Sequence, residues 1–504
     1  MKRRIALALA VVLSACSAHQ ASLTPALSPA TGGADAAGAA PSIVLDARSS
    51  GPTVSADAYG ASLDTWYDFV VPWVDPSLHQ TGIHLVRFPG GSESDDYHWE
   101  NGGTLCSPKY GYITKQSTFD HLMTQVARPA RLDIAITLNY GSNRTCNGGG
   151  DPTEAAAWVA YAKQKHYNVP FWTVGNEEYG SWEYDLHPVP HDPHTYAAAV
   201  KTGYYPDVKA ANPQARLGVI GDFAQPGAST WNKIVFREAG PFDFVEIHYY
   251  PEYNHDSDSF LLGAAIGTFA NDLTNLRAQM TAAGLPKTFP IYLGEFNNDA
   301  GNEGKQSVSI VNALYLGQML GVLTTQGVPM VTWWLSYGSC DESGDYSKSL
   351  YGWQHFGSEG LFSDGLPDKY QGCAATPVIP GGTPFPTARV MALLSQYVPA
   401  GAAARNVAVA KSLGTTVRAY GYANGGGYVL AAYNNTLSTV TTAFRLTGAK
   451  ATYDTTLVTY GKAQYDLSKN NQWVGASTKH LGLVPVRNLP LTLPPYSLVL
   501  VVLI

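Results

Sequence analysis

The sequence predicts a (β/α)8 TIM barrel with a C-terminal all-β sandwich that also takes up an N-terminal strand. Three observations predict this class. Eight short apolar or β-branched runs alternate with helical segments between residues 56 and 398, which is the pattern of repeated βα units around a parallel sheet. Polar residues directly follow most of these runs. Residues 399–504 show instead the alternation and turn residues of antiparallel hairpins.

The eight predicted barrel strands are residues 57–62, 83–88, 132–138, 171–175, 216–221, 242–249, 290–294 and 328–334. Helix candidates lie between them at 118–126, 153–165, 194–211, 260–283 and 307–326, and several end near Gly or Pro, as helix stops require. Eight βα units in about 340 residues fit a barrel with long loops. The alternative, a doubly wound open sheet, is disfavoured because no G-x-G-x-x-G follows the first strand.

The chain changes character after a last predicted helix near residues 386–397. Two alternating runs, 417–422 and 428–433, flank an Asn- and Gly-rich turn and predict a hairpin of a sandwich. The run 42–46 would be an orphan strand in the barrel, so we expect it in the sandwich, beside the C-terminal strand 496–503. The predicted divisions of this part of the chain are a strand joining the sandwich at 42–55, the catalytic barrel at 56–398 and the sandwich domain at 399–504.

The N-terminus has the features of an export signal. Three basic residues at positions 2–4 precede an apolar run at 5–13, which is too short to span a membrane permanently. The residues Leu13-Ser-Ala-Cys16 that follow resemble the lipobox of bacterial lipoproteins, and an ordinary cleavage site is the alternative. We therefore expect a signal peptide at 1–15, a flexible Ala-, Ser-, Gly- and Pro-rich tether at 16–41, and a lipid on Cys16 as the only membrane attachment of a periplasmic or cell-surface lipoprotein.

The other four cysteines agree with export, because an even number in an oxidising compartment predicts disulfides. We favour the pairs Cys106–Cys146 and Cys340–Cys373, since each pair would lie in neighbouring loops on one face of the barrel. A zinc site is the alternative, but the sequence has no C-x-x-C and no closely spaced Cys/His cluster.

Composition limits the class of ligand. The 32 Lys and Arg residues against 39 Asp and Glu residues give a formal net charge of −7, so no basic field is present to attract a phosphate backbone, and nucleic acid is not expected as a partner. The 31 Tyr and 11 Trp residues beside few charges fit a ligand with flat apolar faces and many hydroxyls, although most aromatic residues in any protein are core. Carbohydrate is the partner that this composition favours.

Polar and aromatic side chains follow six of the predicted strands. Active sites of (β/α)8 enzymes are built at the carboxyl ends of the strands, so these residues are the candidate site. Because neighbours on a strand alternate, at most one of the two tryptophans faces the barrel axis. The candidates are Arg87, Asn139, Asn176, Glu177, His248, Tyr250, Glu295, Trp333 and Trp334.

Two carboxylates stand out among these candidates. Glu177 and Glu295 are far apart in sequence, but the barrel would bring both to one end. Paired carboxylates are the means of glycoside hydrolysis, in which one protonates the leaving oxygen and the other attacks the anomeric carbon or activates water. A helix cap or a surface ion pair would explain either residue alone. The concentration of polar groups at one end of the barrel favours a binding site.

Short motifs in a fixed order carry a family resemblance. Arg87-Phe-Pro-Gly-Gly, Tyr97-His-Trp99, Val174-Gly-Asn-Glu177, His248-Tyr-Tyr250 and Leu293-Gly-Glu295 resemble clan A of the retaining glycoside hydrolases. Within the clan the chain is most similar to the α-L-arabinofuranosidase family, which also contains some endoglucanases. The resemblance covers residues 43–504 and includes the sandwich after the barrel.

The resemblance implies a role for each matching residue. Glu177 would be the general acid/base, Glu295 the nucleophile that forms a glycosyl-enzyme, and Asn176 the partner of the sugar 2-hydroxyl. The supporting residues it implies are Arg87 and Tyr250, which would hold the nucleophile, and His248, which would position the acid/base. No metal and no organic cofactor is expected in this chemistry.

These roles set requirements for the protonation states and the spacing of the two carboxyl groups. The positive charge of Arg87 would keep Glu295 ionised, whereas Glu177 must hold a proton near neutral pH and needs a less polar setting. Retention requires the two carboxyl groups to be about 5–5.5 Å apart. Glu178 follows Glu177 directly and is the alternative acid/base; we choose Glu177 because Asn-Glu is the fixed pair of the clan.

The sequence therefore predicts a retaining, α-L-arabinofuranosidase-like glycoside hydrolase that acts on plant-type polysaccharide or oligosaccharide by double displacement. An endo-β-glycanase, a β-glycosidase or a glucuronidase of the same clan is the alternative, because a tryptophan at strand eight is typical of members that bind pyranosides. A non-catalytic carbohydrate-binding surface lipoprotein is a further alternative, against which the presence of both carboxylates argues. An esterase or zinc hydrolase is disfavoured, since neither G-x-S-x-G nor H-E-x-x-H occurs.

Overall fold

The computed structural model describes residues 41–107, 109, 112–223, 230–252, 257–300, 304–338, 357–366, 378–470 and 474–504. The predicted signal peptide, the tether up to residue 40 with Cys16, and the pair Cys340 and Cys373 lie outside the described residues. None of the helices in these ranges is long and apolar enough to cross a membrane.

A closed parallel barrel forms the larger part of the described chain, as predicted. Its strands follow one another around the barrel in sequence order. The first and last are joined by a parallel bridge between Ala61 and Trp333, with the Trp333 N–H donating to the Gly60 carbonyl at 2.9 Å. The strands are β1 (Gly60–Ser62), β2 (Leu85–Phe88), β3 (Asp133–Leu138), β4 (Phe171–Val174), β5 (Arg216–Ile220), β6 (Phe244–Tyr249), β7 (Ile291–Phe296) and β8 (Met330–Val331).

Helices surround the barrel close to the predicted positions. Two of the described helices begin with an Asp cap followed by Pro, as at Asp151, whose carboxylate accepts the Thr153 N–H before the helix Pro152–Gln164. Three helices in the described ranges contain a π-helical segment. The helices are Val74–Thr81, Phe119–His121 with Leu122–Ala127 and Arg128–Ala130, Pro152–Gln164, Pro193–Ala199 with Val200–Tyr204 and Tyr205–Ala211, Thr230–Glu238, Asp258–Phe260 with Leu261–Ala265 and Ile266–Ala282, Ile310–Thr325, Pro386–Tyr397 and Lys462–Asp466.

The helix Ile310–Thr325 joins the barrel to the sandwich. It is apolar on all sides and its residues 310–324 are buried, as expected of a helix covered on every face. Gly317 and Gly321 let the sandwich approach closely, because a Cβ at Gly321 would lie 2.4 Å from the ring of Tyr420. The two parts therefore share one core around this helix.

The sandwich consists of two sheets, and the predicted hairpin is present as Val417–Asn424 paired with Gly427–Asn434. The larger sheet contains, in order, Ala403–Arg405, Val417–Asn424, Gly427–Asn434, Ser497–Leu503, Thr452–Gly461 and Ser477–Pro485; the smaller contains Val407–Val409, Ser42–Asp46, Val440–Thr447 and Leu489–Leu493.

The N-terminal strand joins the sandwich as predicted, but its predicted neighbour is wrong. Ser42–Asp46 pairs with Val407–Val409 and runs parallel to Val440–Thr447 in the smaller sheet. The C-terminal strand Ser497–Leu503 has both edges occupied by Gly427–Asn434 and Thr452–Gly461. A central strand with no free edge cannot accept another neighbour, so the N-terminal strand pairs in the facing sheet.

Two short strand pairs lie in the loops after the barrel strands: Tyr97–His98 with Thr104–Leu105, and Tyr337–Gly338 with Phe362–Ser363. The predicted disulfide between Cys106 and Cys146 is present and joins the loops that follow β2 and β3. Single 3₁₀ turns complete the described structure at Ala56–Ala58, Ser92–Asp95, Glu100–Gly102, Lys411–Leu413 and Leu467–Asn470.

Candidate active site

A tight turn after β4 presents Glu177 at the open end of the barrel, which we call the mouth. Gly175 and Glu177 have left-handed φ angles of 75° and 46°. The carboxylate of Glu177 accepts hydrogen bonds from His248 Nδ1 at 2.9 Å and from the indole N–H of Trp182 at 2.9 Å. The next residue, Glu178, is fully buried on the other side of the turn. The structure thus brings Glu177, and not Glu178, towards the second predicted carboxylate, Glu295.

Glu295 lies at the end of β7, next to an irregularity in its pairing with β6. Its Oε1 accepts a hydrogen bond from Arg87 Nη1 at 2.7 Å, and its Oε2 accepts one from the Tyr250 hydroxyl at 2.8 Å. The side chain is 7% exposed. Glu295 is therefore held at both oxygens while still reaching the mouth.

The two predicted carboxylates lie next to each other. One carboxylate oxygen of Glu177, one of Glu295 and a ring nitrogen of His248 all lie within 4.8 Å of one another. Retaining glycosidases hold their two carboxyl groups about 5–5.5 Å apart, whereas inverting enzymes leave about 6.5–9.5 Å for a water molecule. This spacing fits a direct attack on the sugar by one carboxylate.

The guanidinium of Arg87 contacts residues on both sides of the site. It is fully buried; its Nη1 contacts Glu295, its Nη2 donates to Asn176 Oδ1 at 2.7 Å, and its Nε lies 2.9 Å from Glu246 Oε1. Sequence reasoning missed Glu246. Its signal was its place two residues before His248, since alternate residues of a strand share one face.

Replacing Arg87 by Met should lower the free energy of unfolding by about 3–5 kcal/mol, because Glu246 and Glu295 would remain buried without the guanidinium that pairs with both. Urea unfolding measures this loss. The control is Arg445→Met, which removes a solvent-exposed hydrogen bond to Asn488 and should change stability by less than about 0.5 kcal/mol. Equal losses of unfolding free energy in the two variants would contradict the stabilisation of the buried carboxylates by Arg87.

His248 lies between three carboxylates. Its Nδ1 is 2.9 Å from Glu177 and 3.7 Å from Glu295, and its Nε2 is 3.2 Å from Glu246. Burial alone would lower the pKa of His248, but these carboxylates, Glu295 foremost, raise it to about 10. The imidazole is therefore charged at neutral pH in the free protein.

The prediction for the polarity of the surroundings of Glu177 is wrong. Sequence reasoning placed it in less polar surroundings that would keep it protonated. Burial does act to raise its pKa, but the hydrogen bond and charge of His248, together with hydrogen bonds from Trp182 and Tyr179, hold the pKa below its usual range. The cause is the charged imidazole, which Glu246 on the same strand helps to maintain. In the free protein the proton of this pair resides mainly on His248.

The stability of the protein should depend on pH through His248. Its pKa is raised from 6.5 to about 10 on folding, so its ion pairs stabilise the fold fully below pH 6.5 and are lost as the pH rises through 10. We expect the stability difference between the wild type and His248→Gln to be largest near pH 6 and to shrink by pH 10. Urea unfolding at several pH values measures it, and a difference that stays constant would contradict the charged imidazole.

Asn176 and Asn139 have different positions relative to the pair. The amide of Asn176 is fixed between Arg87 and Glu183, to which its Nδ2 donates at 3.0 Å. Asn139 instead donates to the Tyr97 carbonyl at 3.0 Å and accepts the backbone N–H of Ser142. The structure brings Asn176 to the carboxylates, whereas the hydrogen bonds of Asn139 brace neighbouring loops.

The two tryptophans after β8 point in different directions, as strand alternation predicts. Trp333 is fully buried, packs edge-on against Phe296 with ring centroids 4.8 Å apart, and belongs to the core. Trp334 lies over the Gly90-Gly91 turn, where a Cβ at Gly91 would be 2.9 Å from its ring. Trp334 is therefore the tryptophan next to the turn that follows Arg87.

A group of buried carboxyl side chains lies near the pair, and sequence reasoning missed all of its members except Glu178. Each is at most 4% exposed, and burial is the main cause that raises the pKa of each, to about 8 for Asp95. Two of them lie in the acid-rich segment 92–96 after the Arg87 motif, and two follow Glu177 closely. These positions were the signals that the sequence offered. The group consists of Asp64, Glu93, Asp95, Glu178 and Glu183.

The chain is similar in sequence and in fold to several known glycoside hydrolases. No protein-family model matches the chain. The intracellular exo-α-(1→5)-L-arabinofuranosidase of Bifidobacterium longum is 26% identical over 202 residues, which is 35% of this chain and 34% of that protein. The chain thus matches about a third of the length of this curated relative, and 24% of others named α-L-arabinofuranosidase C.

Solved structures match nearly the whole chain. The α-L-arabinofuranosidase of Thermotoga maritima in complex with arabinose has a TM-score of 0.69 at 16% identity, covering 92% of this chain and 99% of that one. The xyloglucanase of Paenibacillus polymyxa, from glycoside hydrolase family 44, has a TM-score of 0.61 at 12% identity with the same coverage. The chain therefore has the barrel-and-sandwich fold of these solved structures of an α-L-arabinofuranosidase and a family 44 glycoside hydrolase.

Proposed function

We propose that this chain is a retaining glycoside hydrolase that releases α-L-arabinofuranosyl residues from plant-type polysaccharide or oligosaccharide. The observation that carries the proposal is the pair Glu177 and Glu295, whose nearest oxygens lie within 4.8 Å at the ends of β4 and β7. Each carboxylate has its own partner, His248 for Glu177 and Arg87 for Glu295. Two carboxylates in different surroundings can divide the roles of acid and nucleophile.

In the first step, Glu295 attacks the anomeric carbon while Glu177 gives a proton to the leaving oxygen. The bond between the anomeric carbon and the leaving oxygen breaks, and an ester bond to Glu295 forms. Hydrogen bonds from Arg87 and Tyr250 hold the attacking carboxylate in place. The proton comes from the His248–Glu177 pair, which holds it across a 2.9 Å hydrogen bond.

In the second step, Glu177 acts as the base. Esterification removes the negative charge of Glu295, and without this like charge nearby Glu177 stays ionised more readily, so its carboxylate is available to accept a proton from water. That water attacks the anomeric carbon and the ester bond to Glu295 breaks. Two inversions at the same carbon return the original anomeric configuration.

The sugar is assigned from the relatives. The curated sequences and several of the structural neighbours bear the name α-L-arabinofuranosidase. Trp334 beside the Gly90-Gly91 turn and neighbours such as the xyloglucanase support the alternative of a β-glycanase. Both alternatives use the same two carboxylates, so the difference lies in the sugar that the mouth accepts.

A panel of nitrophenyl glycosides tests this proposal. We expect the purified chain to hydrolyse the α-L-arabinofuranoside at least about tenfold faster than the β-xyloside, β-glucoside and β-glucuronide, since sugar hydroxyls that miss their partners weaken transition-state binding strongly. Glu295→Gln purified in parallel controls for contaminating host enzymes. Faster hydrolysis of a pyranoside, or hydrolysis of polymer alone, would contradict the arabinofuranosidase assignment.

We also propose that the protein is exported and held at the membrane by a lipid on Cys16. The basic and apolar N-terminal residues, the lipobox-like Leu13-Ser-Ala-Cys16 and the tether support this, and the Cys106–Cys146 disulfide fits an oxidising compartment. In a bacterial host, the wild type should label with palmitate and sediment with membranes, and Cys16→Ser should do neither. A soluble, unlabelled wild type would contradict the anchor.

A further inference from the structure

A second cluster of polar groups lies behind the turn that carries Glu177. Glu178, Asp185 and His191 each offer one possible ligand atom, and the three atoms lie within 4.8 Å of one another. Gly175 makes room for this arrangement, because a Cβ there would lie 2.5 Å from Glu178 Oε1. The turn therefore sends Glu177 to the mouth and Glu178 into this cluster.

Some polar atoms of this cluster are buried and receive no hydrogen bond from a described donor. Glu178 is fully buried, and neither of its oxygens has a hydrogen-bond partner among the described groups other than the carboxyl of Asp95. Two carboxylates in contact satisfy each other only if a proton or a cation lies between them. The Nδ1 atom of His191 is also buried without a partner.

The charges of the cluster are not balanced within the described part of the chain. Asp185 accepts hydrogen bonds from the His187 ring at 2.7 Å and from the backbone N–H groups of His187 and His191. No Lys or Arg there forms an ion pair with Asp95, Glu178 or Asp185. Burying several carboxylates without a compensating cation costs several kcal/mol.

We propose that Glu178, Asp185 and His191, with Asp95 beside them, bind one divalent metal ion. A set of one imidazole nitrogen and carboxylate oxygens suits Zn²⁺ or Mn²⁺, whereas Ca²⁺ takes six to eight oxygen ligands. The ion takes no part in bond cleavage, because Glu178 lies on the side of the turn away from the mouth. It fixes the turn that carries Glu177, so it is consistent with a reaction that uses no metal.

Metal binding to the full chain tests this proposal without reference to glycosidase activity. Protein stripped with a chelator is dialysed against Zn²⁺, Mn²⁺ or Ca²⁺, and the bound metal per chain and the thermal midpoint Tm are measured. We expect one Zn²⁺ or Mn²⁺ per chain and a rise in Tm of about 3 °C or more, because an ion that binds only the folded state stabilises it. Glu178→Gln should lose both responses, and Glu93→Gln, which removes a buried carboxylate outside the cluster, should keep both.

His191→Ala is the second variant, for the case that Glu178→Gln does not fold. It removes the single nitrogen ligand at a partly exposed position and should weaken Zn²⁺ or Mn²⁺ binding at least about tenfold. No bound ion in the wild type, a response to Ca²⁺ alone, or wild-type binding by either folded variant would overturn the proposal. None of these results would bear on the roles of Glu177 and Glu295.

Discussion

Replacing Glu295 by Gln is expected to lower kcat/KM by about 10⁴-fold or more, the size of loss seen when the nucleophile of a two-step hydrolase is removed. The amide has nearly the shape of the carboxylate but cannot form the glycosyl ester. The neighbours Arg87 and Tyr250 that contact both oxygens stay in place. Hydrolysis of nitrophenyl α-L-arabinofuranoside under initial-rate conditions measures the loss.

Two controls make the Glu295 result specific. Glu100→Gln changes an exposed carboxylate that pairs with Arg144 on the surface and should keep wild-type activity. Binding of arabino-oligosaccharide, measured by calorimetry, should survive in Glu295→Gln. If the variant kept more than about one hundredth of the wild-type kcat/KM, far above the residual expected without a nucleophile, Glu295 would not be the nucleophile and the site would be a different one.

Replacing Glu177 by Gln should produce the second-largest loss, of about 10²–10⁴-fold for substrates with poor leaving groups, because general acid catalysis contributes an effect of this size. A leaving group such as dinitrophenolate needs no proton, so its glycoside should lose much less in the first step. Rates of Glu177→Gln on an arabino-oligosaccharide and on the dinitrophenyl glycoside measure this difference. The difference between the two substrates is the signature of an acid.

Glu178→Gln is the matched control for this difference between the two substrates. Glu178 has the same side chain and lies one residue away, but it points into the buried cluster behind the turn. Glu178→Gln should affect both substrates to a similar degree, since it does not reach the leaving oxygen. A leaving-group dependence in Glu178→Gln and none in Glu177→Gln would reverse the assignment of the acid.

The barrel and the identity of the carboxylate pair could be predicted from the sequence. Apolar runs bounded by turn residues are local signals, and all eight predicted strands are present. The polar residues after β4 and β7 then follow from the closure of the barrel, which brings the ends of all strands together. Glu177 and Glu295 were thus predicted as neighbours although 118 residues, 295 minus 177, separate them.

The electrostatics of the site could not be predicted in the same way. The pKa of Glu177 depends on His248, and the charge of His248 depends on Glu246 and Glu295, which come from different strands. A sequence does not state which of its carboxylates share a buried hydrogen-bond network. The pairing of Ser42–Asp46 was missed for a similar reason, because the position that it fills between Val407–Val409 and Val440–Thr447 exists only after the sandwich has formed.

The configuration of the transferred sugar tests the central claim most directly. With methanol present during hydrolysis of nitrophenyl α-L-arabinofuranoside, the glycosyl-enzyme on Glu295 should pass its sugar to methanol, and proton NMR should show methyl α-L-arabinofuranoside, the anomer of the substrate. This product does not mutarotate, so its configuration records the reaction. A methyl β-L-arabinofuranoside, or an inverted sugar with no methyl glycoside, would contradict a direct attack by Glu295.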